Sequence, residues 1–411
     1  MATTSPPITT PLDDRASGVS QAVGAETARR SGPRALGWLV IAVVVAIVVE
    51  LTCRVEDWVM YRMPLVSPYR SLDDLVIRDA QGMHGRPNAQ FEKWTMNGLG
   101  MRGPAASVTP PPGTVRVVTV GASETFGLRE SVGKEYPRQL EDSLNTAAGV
   151  CGGSSPRRFE VLNAAFAGMS LPTIEQDVRL RLAHFTPAIV VVYPTPAGYL
   201  DEQIPAPAKP DSTGSASLPP SAGQALYPRS VGRLREQIKQ VVPEFMRTAL
   251  RERQTRAMIA SHPAGWRFDS VPAERLARYD ADLRTLIGSI RRIGATPVLV
   301  THANEFRGRQ DADREMLVAW EKFYPRAAGR TIIAMDSVAR DVTLRVGADS
   351  SLVTVDAATT LAAAPLSSFA DFVHFTDSGA AIMANAIREG VLAASCAPAS
   401  ASAAAQFGGT R

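Results

Sequence analysis

Two hydrophobic patterns of different kinds run through the chain. The first is one unbroken block, ALGWLVIAVVVAIVVELTC (Ala35–Cys53), uncharged as far as Val49 and apolar all round. About 19 residues at a rise of about 1.5 Å cover a hydrocarbon core of about 30 Å, so the block predicts a single transmembrane helix. Glu50, near its far end, can reach back to the interface. The second pattern is an alternation that begins at Val115. VRVVTVG reads as a buried strand, short, β-branched and continuous. EYPRQLEDSLNTA reads as a helix, with Tyr136, Leu140 and Leu144 on one face. FEVLNAAF is a second strand, LPTIEQDVRLRLAHF a second helix with Pro172 in its first turn, and PAIVVVYP a third strand.

Residues 200–228, rich in Pro, Ser, Ala and Gly, interrupt the alternation as a loop. A long basic helix follows, Val231 to Met258, broken at Pro243. The alternation resumes with ERLARYDADLRTLIGSIRRIG as helix, ATPVLVTH as strand, helices near 311–325 and 331–346, SLVTVDA as strand, and a last helix over Asp377–Ala394. Strands alternating with helices predict an α/β fold, a three-layer flavodoxin-like sandwich around a parallel sheet. The organisation expected is a disordered tail (1–34), the span (35–53), a proline-dotted lead-in and linker (54–113), and an α/β domain (114–395). Residues 200–270 insert at the carboxyl end of the third strand, where such folds bind ligands, and 396–411 form a flexible tail.

Charge changes the picture in one respect. Of 411 residues, 44 are Lys or Arg and 40 Asp or Glu, and the basic ones are scattered, with small groups only near the N-terminus and around 247–256. A nucleic-acid footprint concentrates its charge on one element, so no nucleic-acid partner is expected. Around the span the distribution is uneven: Arg15, Arg29, Arg30 and Arg34 precede it, whereas Arg54 and Arg62 follow it mixed with Glu56 and Asp57. The positive-inside rule then keeps the N-terminus cytoplasmic and places the α/β domain on the outer side of the membrane. The three cysteines, Cys53, Cys151 and Cys396, form no CxxC or Cys/His cluster, so no metal site is expected. Cys151 and Cys396 follow helices that share a sheet face in a flavodoxin-like order, which allows a bridge between them without requiring one.

Reactive groups of a parallel sheet collect at the carboxyl ends of its strands. Those ends carry Ser123, Gly168, the segment Tyr193–Gly198, His302 and Asn304, while Asp371 and His374 precede the last helix. A serine hydroxyl is a weak nucleophile until a base takes its proton, and an imidazole held by an acid suits that task. DFVHFT supplies both partners in one short loop. Taken singly, Ser123 reads as a helix cap and the Asp–His pair as a solvated loop; together, at matching ends of the sheet, they read as chemistry.

These stretches resemble the SGNH (GDSL-type) hydrolase superfamily over about residues 97–395. VTVGASETFG resembles its first block, VLNAAFAG its second, and DFVHFTDSGAAIMANAI its last. The resemblance implies Ser123 as nucleophile, His374 as base, Asp371 as the acid that orients it, and the Ser123 and Gly168 N–H groups as oxyanion donors. It implies no metal or organic cofactor. The expected substrate is an ester-linked acyl group on an envelope carbohydrate or a small ester; hydrolase, O-acyltransferase and carbohydrate-binding relic all stay open. Two positions depart from the family pattern: Ala122 replaces the aspartate before the serine, and YPTPAGYLD replaces the block that supplies an oxyanion asparagine. Thr195 and Asn304 are the stand-in donors expected. His302 has no acidic neighbour in sequence and reads as a structural hydrogen-bonder before a substrate contact, Glu124 as a helix-terminus charge before a pocket-lining residue, and His84, His184 and His262 have no partner nameable from sequence.

Overall fold

A computed structural model describes residues 33–146, 158–201, 203–210, 227–306 and 314–396. Within helix α1 (Pro33–Tyr61) the stretch Leu36–Tyr61 is long enough to cross a membrane and contains an 18-residue window of mean hydropathy 2.6. It runs past Cys53 because no Pro or Gly stops it before Pro64, and because Glu50 and Arg54 pair at 2.6 Å one turn apart. Residues 33–49 belong to one unit; everything described from Glu50 onward belongs to another.

Within that second unit the lead-in is more ordered than its prolines suggest. It folds into two antiparallel hairpins, β1 (Val76–Asp79) with β2 (Gly82–Gly85) and β3 (Gln90–Phe91) with β4 (Trp94–Thr95). Leu75, Met83, Met96 and Met101 bury their side chains in the main core, which is what fixes this segment in place.

The main sheet consists of β5 (Thr114–Gly121), β6 (Arg158–Asn163), β7 (Ile189–Tyr193), β8 (Thr296–Val300) and β9 (Thr354–Val355). All pair in parallel, in the order β6-β5-β7-β8-β9. This is the flavodoxin-like order, with the switch point between β5 and β7. The period of two along each strand divides the core into two layers. Val118, Val120, Val190, Val192 and Leu299 face α4 (Leu171–Leu180), α7 (Ala273–Arg292) and α9 (Gly329–Asp349). Val117, Ile189, Val191, Val298 and Val300 face α3 (Tyr136–Thr146), α10 (Ala357–Ala362) and α11 (Asp377–Cys396). The far edge is short. Only Leu299 and Val300 of β8 pair with β9, and the N–H groups that β8 turns towards β9 are those of Leu299 and Thr301. By alternation the next one back belongs to position 297, a proline with no N–H.

The insertion after β7 contains α5 (Arg229–Val241) and α6 (Glu244–Ala260), separated at Pro243; α8 (Arg314–Phe323) comes later, before α9. Arg229 ties the start of α5 to Asp57 at 2.9 Å and gives its backbone N–H to Glu50 at 3.0 Å, and Arg233 adds a contact to Asp57 at 2.5 Å. Helices α3 and α11 share one face of the sheet, but Cys151, half of the bridge considered above, lies outside the described residues.

Candidate active site

β5 ends at Gly121, where a side chain would collide with the Thr125 hydroxyl and come within 2.8 Å of the Tyr193 carbonyl oxygen. Only glycine lets the chain turn this tightly beside β7. Ala122 caps the turn, and a single helical turn, α2 (Ser123–Phe126), follows, ending at Gly127 in the left-handed region. This turn is held from below. Asn163, at the end of β6, donates to the Thr125 carbonyl at 2.9 Å, Tyr136 donates to the Thr125 hydroxyl at 3.0 Å, and the buried Arg102 donates to the carbonyls of Phe126 and Gly127. Ser123 thus projects half-buried from a braced turn at the carboxyl edge of the sheet.

The loop before α11 presents Asp371 and His374. Asp371 Oδ1 accepts the backbone N–H groups of Val373 (3.2 Å) and His374 (3.0 Å), and both carboxylate oxygens meet His374 Nδ1, at 2.8 and 2.9 Å. The i,i+3 spacing makes this local: the carboxylate folds back on its own loop and fixes the ring. Two contacts bring this loop to the segment after Ser123. Arg129 Nε reaches Asp371 at 3.2 Å, and the Ser131 N–H donates to Asp377 at 2.7 Å. Burial pushes the Asp371 carboxyl up, but the hydrogen bond and charge of His374 together with the two N–H groups bring it down to about 2. Burial pushes His374 down, yet the hydrogen bond to Asp371 and the charges of Glu124 and Asp371 leave it above its ordinary value. Its Nε2 is buried and has no hydrogen-bond partner among the described residues.

The Ser123 hydroxyl does not turn to that nitrogen in this structure. It donates to Glu124 Oε2 at 3.1 Å. Glu124, in the first turn of α2, is 1% exposed, and His302, which has no acidic neighbour in sequence, lies between two carboxylates. His302 Nε2 is 3.3 Å from Glu124 Oε1, and Nδ1 is 2.8 and 3.0 Å from the two oxygens of Asp336 on α9. The Tyr193 ring stacks on the imidazole at 5.3 Å. Burial opposes a charge on His302, but Asp336 and Glu124 together raise it to about 10, which favours the imidazolium. Glu124, although burial pushes it up, is held below its usual value by His302 and, more weakly, His374.

The remaining candidates fall as follows. Gly168 sits exposed in the turn after β6 with φ +84, a conformation that glycine adopts freely. The Thr195 hydroxyl, just past β7, is buried and unpartnered among the described residues. Asn304 is already committed: its Nδ2 donates to Asp336 at 2.5 Å and its Oδ1 accepts the Phe306 N–H at 3.0 Å. Among the described residues no group of three or more His, Cys, Asp or Glu side chains is placed to hold a metal ion.

Glu130 is a further titratable group that the sequence did not point to. Its carboxyl is buried, with Oε2 taking the Arg129 N–H at 3.0 Å and Oε1 unpartnered among the described residues. Burial pushes it up to about 7. A carboxyl with a raised folded value binds a proton more tightly folded than unfolded, so stability falls as pH rises from about 4.5 to about 7. Glu130→Gln should therefore raise the melting temperature by about 2–4 °C at pH 8 and leave it nearly unchanged at pH 5. Equal shifts at both values would show that Glu130 does not titrate in this range.

No protein-family model and no curated protein matches the chain. The solved structures similar over much of its length include the following three. LAE5, an alpha/beta hydrolase enzyme from the metagenome of Lake Arreo, Spain, is 14% identical with a TM-score of 0.39, covering 69% of this chain and 95% of that one. A catalytic mutant of an acetylxylan esterase from Geobacillus stearothermophilus is 14% identical at 0.37, covering 67% and 93%. The lipase/acylhydrolase from Enterococcus faecalis is 14% identical at 0.37, covering 68% and 95%. Likeness of this size carries no argument about the side chains above, which stand on their own geometry.

Proposed function

We propose that the chain is a membrane-anchored serine esterase of the SGNH type, acting on ester-linked acyl groups of an envelope carbohydrate or a small ester. One observation carries the reading: the His374 ring is locked by Asp371 through Nδ1, while Nε2 is buried and, among the described residues, unpartnered, at the edge where Ser123 emerges. In this mechanism Ser123 Oγ attacks the acyl carbonyl carbon as its proton passes to His374 Nε2. Asp371 keeps the ring in the tautomer that can accept. The backbone N–H groups of Ser123 and Gly168 stabilise the oxyanion, and the Thr195 hydroxyl, unpartnered among the described residues, is a third donor. His374 then returns the proton to the leaving alkoxide, and water or a sugar hydroxyl releases the acyl group from Ser123. Ser123 reaches His374 by turning its hydroxyl away from Glu124.

The test is hydrolysis of p-nitrophenyl acetate by the detergent-solubilised full chain, with and without a sugar acceptor. Acceptor-independent turnover is expected. Turnover only with acceptor would assign a transferase, and a folded protein inert under both conditions would leave a binding role. The rate needs neutral His374, which lies above its ordinary 6.5, so activity should climb with pH through a midpoint above 6.5. A midpoint below that value would contradict His374 as the base.

The apolar stretch Leu36–Tyr61 supports the anchor, and the arginines before it support a cytoplasmic N-terminus with the catalytic domain on the outer side. A reporter fused after residue 411 should then be active only outside the cytoplasm. Activity of a cytoplasm-dependent reporter there would reverse the orientation.

A further inference from the structure

Three ionisable side chains, Glu124, His302 and Asp336, form one hydrogen-bonded row that ends on the Ser123 hydroxyl. Each of the three is at most 3% exposed. Burying charge is costly even when it is paired, and apolar side chains of similar volume often serve stability as well or better. A purely structural prop for Ser123 needs no charge; a glutamine at position 124 would accept the same hydroxyl. The row is also assembled from distant parts: Glu124 from α2, His302 from the end of β8, and Asp336 from the middle of α9, with the Asn304 amide fixing the Asp336 carboxylate. Ionisable groups gathered at the carboxyl edge of such a sheet, beside a nucleophile candidate, point to the reaction rather than to the core.

We propose that Glu124 is a positioning residue of the site: it holds the Ser123 hydroxyl in the resting enzyme and presents a fixed negative charge to His374, and the His302–Asp336–Asn304 row keeps that carboxylate in place and ionised. This rests on Ser123 and His374 acting as proposed above. Glu124 takes no proton in the reaction. As the bond from Ser123 Oγ to the acyl carbon forms, the hydroxyl proton goes to His374 Nε2, and the imidazolium so formed is stabilised by two carboxylates rather than one. The groups that bear on His374 are Asp371 from its own loop, Glu124 from α2, and Arg129 and Glu130 from the segment after α2. Only Glu124 among them also touches the serine hydroxyl.

Glu124→Gln keeps the shape and an acceptor for Ser123 but removes the charge. The expected result is a fall of about 1 unit in the pKa of His374, the low end of what a neighbouring charge does. It is read by ring NMR of the folded full chain, with the acid limb of p-nitrophenyl acetate hydrolysis moving to lower pH by the same amount. A folded variant with an unmoved His374 titration overturns the proposal, however much its rate or stability falls, because a structural prop would do that alone. Should the variant not fold, wild type decides: the His302 ring must stay doubly protonated across the whole acid limb. If it loses its proton there, Glu124 has no charged partner and the proposal fails. Wild type without hydrolysis or serine labelling would count against the catalytic reading, whereas the His374 titration reports on Glu124 independently of turnover.

Discussion

If Ser123, His374 and Asp371 act as proposed, Ser123→Ala should lose at least about 10³ of the esterase rate and all labelling by a serine-directed phosphonate, because nucleophile, base and orienting acid would act as a unit. The substitution removes one oxygen atom from a half-buried side chain. The hydrogen bond it deletes runs to Glu124, whose other oxygen keeps His302, so the fold should survive with a small loss of stability. Loss of rate without loss of fold is therefore the expected signature, checked by labelling, turnover and a melting curve on one preparation. Labelling that persists in the variant would show that another nucleophile reacts and would remove Ser123 from the mechanism. Asp371→Asn should mirror the rate loss less severely, since the asparagine still meets Nδ1 but favours the wrong tautomer.

The second large effect falls on stability. His302→Ala takes the cation from between Glu124 and Asp336 and leaves two carboxylates facing a cavity under the Tyr193 ring. Removing one partner from a buried ion pair costs about 3–5 kcal/mol, and denaturant unfolding followed by tryptophan fluorescence should show a loss of this order. The pH dependence has a definite sign. The folded value of His302, about 10, lies above the ordinary 6.5, so its contribution is complete below 6.5 and is lost as pH rises through about 10. Wild type should descend in stability across that interval, and His302→Ala should lack that component of the descent. A cost under about 1 kcal/mol would mean that the three side chains are not ionised together.

How far the sequence carried depends on how local each feature is. Strand and helix periodicity was readable because each pattern sits within one element, and the break at Pro243 was readable because proline forbids the N–H that a helix requires there. DFVHFT was readable for a related reason: Asp371 and His374 are three residues apart, and the contact they make is internal to the loop. The row beneath Ser123 was not. Its members are separated by 178 and 34 positions, and it exists only because β5 and β8 flank β7 while α9 packs beneath them. Asp336 lies mid-helix with no motif around it. The one signal available was Glu124 itself, an acid set between the serine and Thr125 and Phe126, both of which bury completely. The lead-in was under-read because β1 to β4 are two to four residues long, too short for a period of two to show.

The short far edge of the sheet bears on how this protein behaves when crowded with copies of itself. An open strand is a template for recruiting another chain, and proteins blunt such edges with brevity or proline. Here β9 spans two residues, and on β8 the position behind the two paired ones is Pro297, buried and without an N–H to offer. Copies of this domain can meet along that side without a ladder of hydrogen bonds growing from one molecule to the next.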